Sequence, residues 1–484
     1  MIAPPRRITR RFPDYGWAWP TRDLDLLLKA VLLRDDGEAI AAALSWLAAH
    51  DLDEATFREH RLLAALSDRF GKRLSSSPAY PRLVGLQRML WTRSRMALRD
   101  SSEALGVLAR AGMEFMFIKG ASRIALDPDA QRGRVSHDID VLLKRTDMRT
   151  AFSVLIDSGW QATTGAGSLR LGDQAENCRA MNFFKGDFGD IDLHSLAYHP
   201  IHADETDDDA LWARSVPAAL GGIPGRAPAA SDRMALAIAH GALDAHTHSD
   251  WLVDMDSCMR HGPVGWHDLL ATLRARRIGV PAASALSYLA QEIGAPVPAD
   301  VMREVLDMAD HAGLGRRLAL LECKPRSDFT AFTAIARGVV KQVRLLRGKR
   351  LARRIPETVW RCHLAGPASD GRARSAMGAE FPAQGPGAIR IGISLTVRLP
   401  KKRRRIDWEL STPTRHLAVL RYRTILPFGG LRRLTFAGTV TLAPDETVLL
   451  VSARPSRFLR PGASADAVET YGAVPFVDAR LWRR

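Results

Sequence analysis

Two aspartates one residue apart, Asp138 and Asp140, sit in the run Arg134-Val135-Ser136-His137-Asp138-Ile139-Asp140-Val141-Leu142-Leu143. The apolar residues Ile139 and Val141 to Leu143 predict a β-strand, on which residues i and i+2 point the same way. Both carboxylates then face one point. Two unit charges about 4 Å apart repel by roughly 1 kcal/mol in water and about 4 kcal/mol at an effective dielectric near 20. A partly buried pair therefore needs a counter-charge, and Mg²⁺ commonly sits on one or two carboxylates together with substrate phosphates.

The flanking segments supply further parts of such a site. Upstream, Glu114 to Ile118 is a short apolar strand pattern that ends in a small-residue turn, Lys119-Gly120-Ala121-Ser122, and then in a run with helical character. Backbone N–H groups at such a turn attract anions, and Lys119 adds a point charge. Downstream, Arg179 to Phe184, a Lys-Gly-Asp-Phe-Gly turn, and Asp190-Ile191-Asp192-Leu193-His194 read as a hairpin. Its second strand offers a third carboxylate. Asp190 competes with Asp192 for that place, and Asp192 lies further into the apolar strand. Two metal-holding carboxylates, with a third that shares a metal and takes a proton from an attacking hydroxyl, are the parts of two-metal phosphoryl or nucleotidyl transfer.

With these residues the chain resembles the bacterial "uncharacterised nucleotidyltransferase" family of the DNA polymerase beta-like nucleotidyltransferase superfamily. The resemblance rests on Phe117-Ile118-Lys119-Gly120-Ala121, on Arg134 four residues before Asp138, on Asp138-Ile139-Asp140-Val141-Leu142, and on Asp190-Ile191-Asp192-Leu193-His194. It extends to Glu59-His60-Arg61-Leu62-Leu63, to Leu236 to His240, and to Asp250-Trp251 with Asp254. It spans about residues 20 to 340, with the specific motifs between about 117 and 194. The superfamily's Gly-Ser pair is here Gly120-Ala121-Ser122, a displacement of one residue. The resemblance implies a mixed sheet flanked by helices that binds a nucleoside triphosphate such as ATP with Mg²⁺ or Mn²⁺. It makes Asp138 and Asp140 metal ligands and Asp192 the third carboxylate. Lys119, Gly120, Ser122 and Arg134 become nucleotide-binding residues, and His194 one that touches the nucleotide or orients a carboxylate.

Each feature also has a simpler reading. An isolated Asp-x-Asp is common as a solvated pair at a strand end, and Lys119 serves equally as a turn cap. His240, His246 and His248 suggest a metal cluster, but the pattern from Ala235 to His248 fits a helix passing into a loop, with no His-Glu-x-x-His spacing. These histidines are read as mostly structural, or as supporting the ligands of a site from behind. A glycosyltransferase also uses Asp-x-Asp to hold a metal and a nucleotide sugar. A non-catalytic descendant that serves as a binding module is the other alternative.

Composition sets the outer limits. At 484 residues the chain suggests about three domains, and 46% hydrophobic residues suffice for proper cores. The four cysteines, Cys178, Cys258, Cys323 and Cys362, show no Cys-x-x-Cys spacing, which argues against a zinc or disulfide framework and for a reducing cytoplasm. The basic start from Met1 to Arg7 is not followed by a continuous apolar segment, so no secretory signal is expected. No run of about 18 apolar residues predicts a transmembrane helix.

The expected architecture is α/β (α+β): a nucleotidyltransferase-like mixed sheet flanked by helical regions, plus a separate C-terminal all-β domain. Residues 1–110 read as a helical region, with Leu24, Leu27, Leu28, Val31 and Leu32 at helical spacing. Residues 111–200 form the catalytic core, with a helix from Asp147 to Gly159, and residues 201–350 a helical region packing on it. Residues 351–387 read as a basic, flexible linker, and 388–484 as a β-sandwich or barrel-like domain with period-two runs at Ile389, Leu417, Leu434 and Val448. The net charge of +16 is concentrated visibly from Lys341 to Arg354 and from Lys401 to Arg405. Such runs suit an anionic partner or a plain solvated face. Together these features predict a Mg²⁺-dependent nucleotidyltransferase whose acceptor is a small molecule, a protein or an RNA.

Overall fold

The computed structural model describes residues 8–12, 14–162, 179–198, 208–244, 249–351, 364–366, 376–380, 387–399, 405–412, 414–423, 430–443, 446, 448–453 and 476–483. The chain divides into two compact units, one of residues 1–144 and 186–351 and the other of residues 145–185 and 352–484.

The first unit begins with helices whose apolar stripes dictate their packing. In α1 (Arg22–Leu32), Leu24, Leu27, Leu28, Val31 and Leu32 are buried, as their spacing requires. Next come α2 (Asp36–Ala49), α3 (Phe57–Phe70) and the long α4 (Tyr80–Arg110). A Thr56–Glu59 capping box starts α3, the Glu59 carboxylate accepting from the Thr56 N–H at 2.6 Å. These helices share one core with the later helices Ala230–Gly241, Asp250–Arg260 and Gly279–Gln291. Trp19 Nε1 donates to the Ser284 carbonyl at 3.0 Å, and Tyr288 OH donates to Asp25 at 3.0 Å. The helices before and after the sheet are thus built around common contacts.

The strands in chain order are β1 (Phe115–Phe117), β2 (Ile139–Leu143), β3 (Gln161–Ala162), β4 (Ala180–Lys185), β5 (Gly189–His194), β6 (Val216–Leu220) and β7 (Ile223–Ala227). Within the first unit they run β5-β2-β1-β7-β6. β2 lies parallel to β5 and antiparallel to β1, β1 is parallel to β7, and β6 and β7 are antiparallel. The sheet is mixed, as expected. Ser101 of α4 clamps the start of β5, its hydroxyl donating to the Asp190 carbonyl at 3.1 Å and accepting from the Asp190 N–H at 3.0 Å. α5 (Lys119–Leu126) follows β1 directly. Gly186, at φ +64°, takes the left-handed conformation in the turn between β4 and β5.

In the second unit, α6 (Met148–Asp157) lies inside the span predicted as helix. The remaining strands are β8 (Leu364–Gly366), β9 (Ala376–Glu380), β10 (Gly387–Leu399), β11 (Arg405–Ser411), β12 (His416–Arg423), β13 (Gly430–Leu442), β14 (Val448–Ala453) and β15 (Phe476–Arg483). They form two four-stranded antiparallel sheets, β13-β10-β15-β8 and β12-β11-β14-β9. Ile393, Leu395 and Val397 are buried at period two. The Trp408 ring of one sheet meets Phe436 of the other edge-on with centroids 6.2 Å apart, so apolar faces pack between the sheets as in a sandwich. β8 falls in the stretch read from sequence as linker, residues 351–387, and so does β9. Its run Ala376-Met377-Gly378-Ala379-Glu380 has little strand signal, and the pairing with β14 defines it.

Of the basic run beginning at Lys341, residues through Leu351 belong to the helix Ala331–Leu351; 352–354 and 401–404 lie outside the described residues. Cys178, His246, His248 and Cys362 lie outside them as well. Among the described residues, no helix is long and apolar enough to cross a membrane.

Candidate active site

A sharp corner starts the site. The chain leaves β1, Ile118 N–H donates to the Asp140 carbonyl at 3.1 Å, and Lys119 opens α5 at φ +53°. A left-handed lysine is costly, and such strain is characteristic of positions where the fold must aim a side chain. Lys119 Nζ donates to the Asp140 carboxylate and lies 3.4 Å from His194 Nε2. Ser122, buried one turn on, donates its hydroxyl to the Lys119 carbonyl at 2.7 Å and so holds the corner.

Parallel pairing of β2 and β5 then places Asp140 opposite Asp192 and Leu142 opposite His194. His194 Nε2 lies 3.0 Å from Asp140 Oδ1 and 3.0 Å from Asp192 Oδ2. Ligand atoms of Asp140, Asp192 and His194 all fall within 4.8 Å of one another. Burial works against ionisation of Asp140, but Lys119 and His194 overcome it and hold the carboxyl far below the usual carboxylate range. Asp138 lies just ahead of β2, half-buried and beside this group, with its carbonyl held by the Ser136 hydroxyl at 2.8 Å. Burial and the Asp140 charge push its pKa up. Asp190 shares the Asp192 side of β5, and burial together with Asp138, Asp192 and Asp140 pushes it up to about 8.

A divalent cation fits this cluster. Three donors converge, and Asp192 Oδ1 is buried without a hydrogen-bond partner among the described residues. Buried polar atoms are rarely left so. Carboxylate oxygens suit Mg²⁺ and Mn²⁺, and the histidine nitrogen extends the match to Mn²⁺ and other transition metals.

Next to the carboxylates opens a cleft of about 320 Å³, lined among others by Lys119, Gly120, Ser122, Arg134, Asp138 and Asp140. Its other wall is an alternating chain of charges. Arg61 meets Asp250 at 3.0 Å, Asp250 meets Arg134 at 2.8 Å, Arg134 Nε meets Asp254 at 3.0 Å, and Asp254 meets Arg123 at 3.3 Å. Burial disfavours the Arg134 charge, but Asp250 and Asp254 raise its pKa above the ordinary arginine value. Gly120 is glycine for steric reasons: a Cβ there would lie 2.7 Å from Arg134 Nη2 and 2.9 Å from Cζ.

The site residues expected from sequence thus converge in one place. Asp138, Asp140, Lys119, Gly120, Ser122 and Arg134 line the cleft, and Asp192 and His194 join Asp140 in the adjoining donor group. Arg134 is already neutralised by two aspartates, so its guanidinium ties β2's approach to the helix Asp250–Arg260. His240 is exposed and lines the cleft. Arg61, Asp250 and Asp254 had no role assigned from sequence, although their segments entered the resemblance. Arg123 and Arg233 were missed altogether. A usable signal existed for Arg233, because Arg233, Leu236, Ala237 and His240 recur at the spacing of one helix face and all line the cleft.

Residues 54–294 match the family described as "Uncharacterised nucleotidyltransferase". That span contains every cleft and cluster residue named above and excludes the two C-terminal sheets. No curated protein and no solved structure matches the chain. The family match and the Asp-Asp-His group together support a transferase with a metal-binding site.

Proposed function

We propose that the chain is a divalent-metal-dependent nucleotidyltransferase that moves a nucleoside monophosphate from an NTP to an acceptor hydroxyl and releases pyrophosphate. The observation that carries this reading is the facing of Asp140 and Asp192 on adjacent parallel strands, with His194 bridging them at 3.0 Å. The family match supports the same reaction class. The metal, Mg²⁺ or Mn²⁺, would be held by Asp140, Asp192 and His194 with Asp138 alongside. When bound it supplies charge neutralisation at the transferring phosphoryl group.

The remaining work belongs to the chain's own residues. The acceptor oxygen forms a bond to the α-phosphorus, the bond from that phosphorus to the bridging oxygen breaks, and pyrophosphate carries away the electron pair. Asp192 takes the acceptor proton. In this structure His194 Nε2 sits between the two carboxylates, and it would turn to the metal when that is bound. Lys119 neutralises Asp140 in this structure and lies in the cleft to meet phosphate oxygens when Asp140 has another counter-charge. Gly120 and Ser122 keep the β1–α5 corner close to the nucleotide, and Arg134 braces the wall behind it.

Membership of the DNA polymerase beta-like superfamily, ATP as a substrate and a bacterial source follow from the resemblance, and a cytoplasmic setting from the sparse, unpatterned cysteines. The acceptor is a small molecule, a protein or an RNA, and the basic segments of the last third suit an anionic partner. The position of the label tests the reaction class. With an α-labelled NTP, label passes to the acceptor fraction and unlabelled pyrophosphate is released. Passage of γ-label to the acceptor would make the protein a kinase, and formation of a sugar product from a nucleotide sugar would make it a glycosyltransferase.

A further inference from the structure

Among the described residues, the cleft contains a cation without a counter-charge of its own. Arg233, on the helix Ala230–Gly241, lines the cleft and has no hydrogen bond or ion pair among the described residues, where its Nε is buried without a partner. The carboxylates around it are committed elsewhere. Asp232 takes both of its bonds from Arg214, at 2.9 and 2.6 Å. Asp254 receives Arg134 and Arg123, and Asp256 receives Arg34 and Arg260, each at 2.6 Å. The arginine wall of Arg61, Arg123, Arg134 and Arg233 thus faces Asp250 and Asp254 with positive charge left over. Arg233 also lies near enough to the buried Cys258 thiol to act on its ionisation, as do Arg123 and Asp254, which places it at the Asp254 end of the wall.

We infer that Arg233 is a phosphate-binding residue and receives the β- and γ-phosphates of the nucleotide, the part that leaves as pyrophosphate. This rests on the reading of the cleft as an NTP site. A guanidinium offers a planar fork that matches two phosphate oxygens, and an unpaired one in a partly buried wall is satisfied by a ligand anion. The division of labour follows from position. The α-phosphate has to lie beside Asp140 and Asp192, where Lys119 is the adjacent cation. Arg233 pairs with none of these, so it serves the far end of the triphosphate.

The test is isothermal calorimetry on the full chain with ATP and with AMP, each with Mn²⁺, for wild type, Arg233→Ala, Arg233→Gln, Arg233→Lys and Asp140→Asn/Asp192→Asn. Loss of a charge-assisted pair predicts ATP affinity about 10- to 100-fold weaker in Arg233→Ala and Arg233→Gln. AMP affinity stays within about twofold, and Arg233→Lys retains part of the ATP binding. Unchanged ATP affinity in the two neutral variants overturns the assignment, and so does an equal loss for ATP and AMP. Should Arg233→Ala fail to fold, the near-isosteric Arg233→Gln and the charge-keeping Arg233→Lys carry the comparison. The underlying reading fails separately and visibly: wild type that binds neither nucleotide overturns the NTP site and this assignment with it. Binding by wild type that the Asp140→Asn/Asp192→Asn variant shares overturns the metal cluster alone.

Discussion

Asp140 and Asp192 are register partners on the parallel strands β2 and β5, and a single nitrogen, His194 Nε2, lies 3.0 Å from a carboxylate oxygen of each. Three chain segments are needed to make this cluster: β2 and β5 supply the donors, and the β1–α5 corner supplies Lys119 as the internal counter-charge. A cation that joins the cluster replaces a repulsive arrangement of carboxylates by a bound one, which links metal binding to stability.

Adding Mn²⁺ or Mg²⁺ to metal-free protein should therefore raise the melting temperature, because a ligand that binds only the folded state stabilises it by mass action. Asp140→Asn/Asp192→Asn should abolish most of the shift. His194→Ala should reduce the Mn²⁺ shift more than the Mg²⁺ shift, since imidazole suits the transition metal better. Differential scanning fluorimetry at a series of metal concentrations checks this, and equal shifts in wild type and the double variant would remove the metal cluster.

Arg134 is the counter-charge for Asp250 and Asp254. Replacing it with Met leaves Asp250 to Arg61 and the half-buried Asp254 to Arg123, so the cost should fall below the about 3–5 kcal/mol of a fully broken buried pair. Gly120→Ala acts on the same guanidinium by crowding it and should cost about 1–3 kcal/mol. Chemical denaturation measures both. A neutral effect of Arg134→Met would show that the Arg61–Asp250–Arg134–Asp254 chain does not hold the wall together.

Asp190 gives the site a pH dependence. Its folded pKa of about 8 lies above the ordinary aspartate value, so the stability supplied by its protonated form is complete below about pH 4 and is lost as the pH rises towards 8. Metal-free Asp190→Asn should accordingly match wild type near pH 4 and exceed it in melting temperature by a margin that grows up to about pH 8. A margin that is constant across this range would contradict the burial and the repulsion from Asp138, Asp192 and Asp140.

What could be read from the sequence was whatever depends on local spacing. The period-two runs around Asp140 and Asp192 announce two strands with polar residues on one side, and the apolar stripe from Leu24 to Leu32 announces α1. Asp138 lines the cleft with Asp140, two residues on. The Asp140–Asp192–His194 group is completed from β5, and the i, i+2 rule within one strand says nothing about that pairing. Partners distant in sequence had no local signature. Asp254 lies 120 residues beyond Arg134, and nothing near either residue says that they meet. β9 was equally hidden, because its pairing with β14 rather than its composition makes it a strand. Arg233 was obscured for a different reason: an arginine on a helix face shared with Leu236, Ala237 and His240 is ordinary until its neighbours' carboxylates are seen to be taken.

The central claim is nucleotidyl transfer at the Asp140–Asp192 cluster. Its most direct test is incubation of α-labelled NTPs with Mg²⁺ or Mn²⁺ and a pool of host RNA, protein and small metabolites, comparing wild type with Asp140→Asn/Asp192→Asn. The account predicts label in one acceptor fraction with wild type, together with pyrophosphate, and none with the variant. Equal labelling by both proteins, or no labelling by wild type in any fraction with either metal, would contradict it.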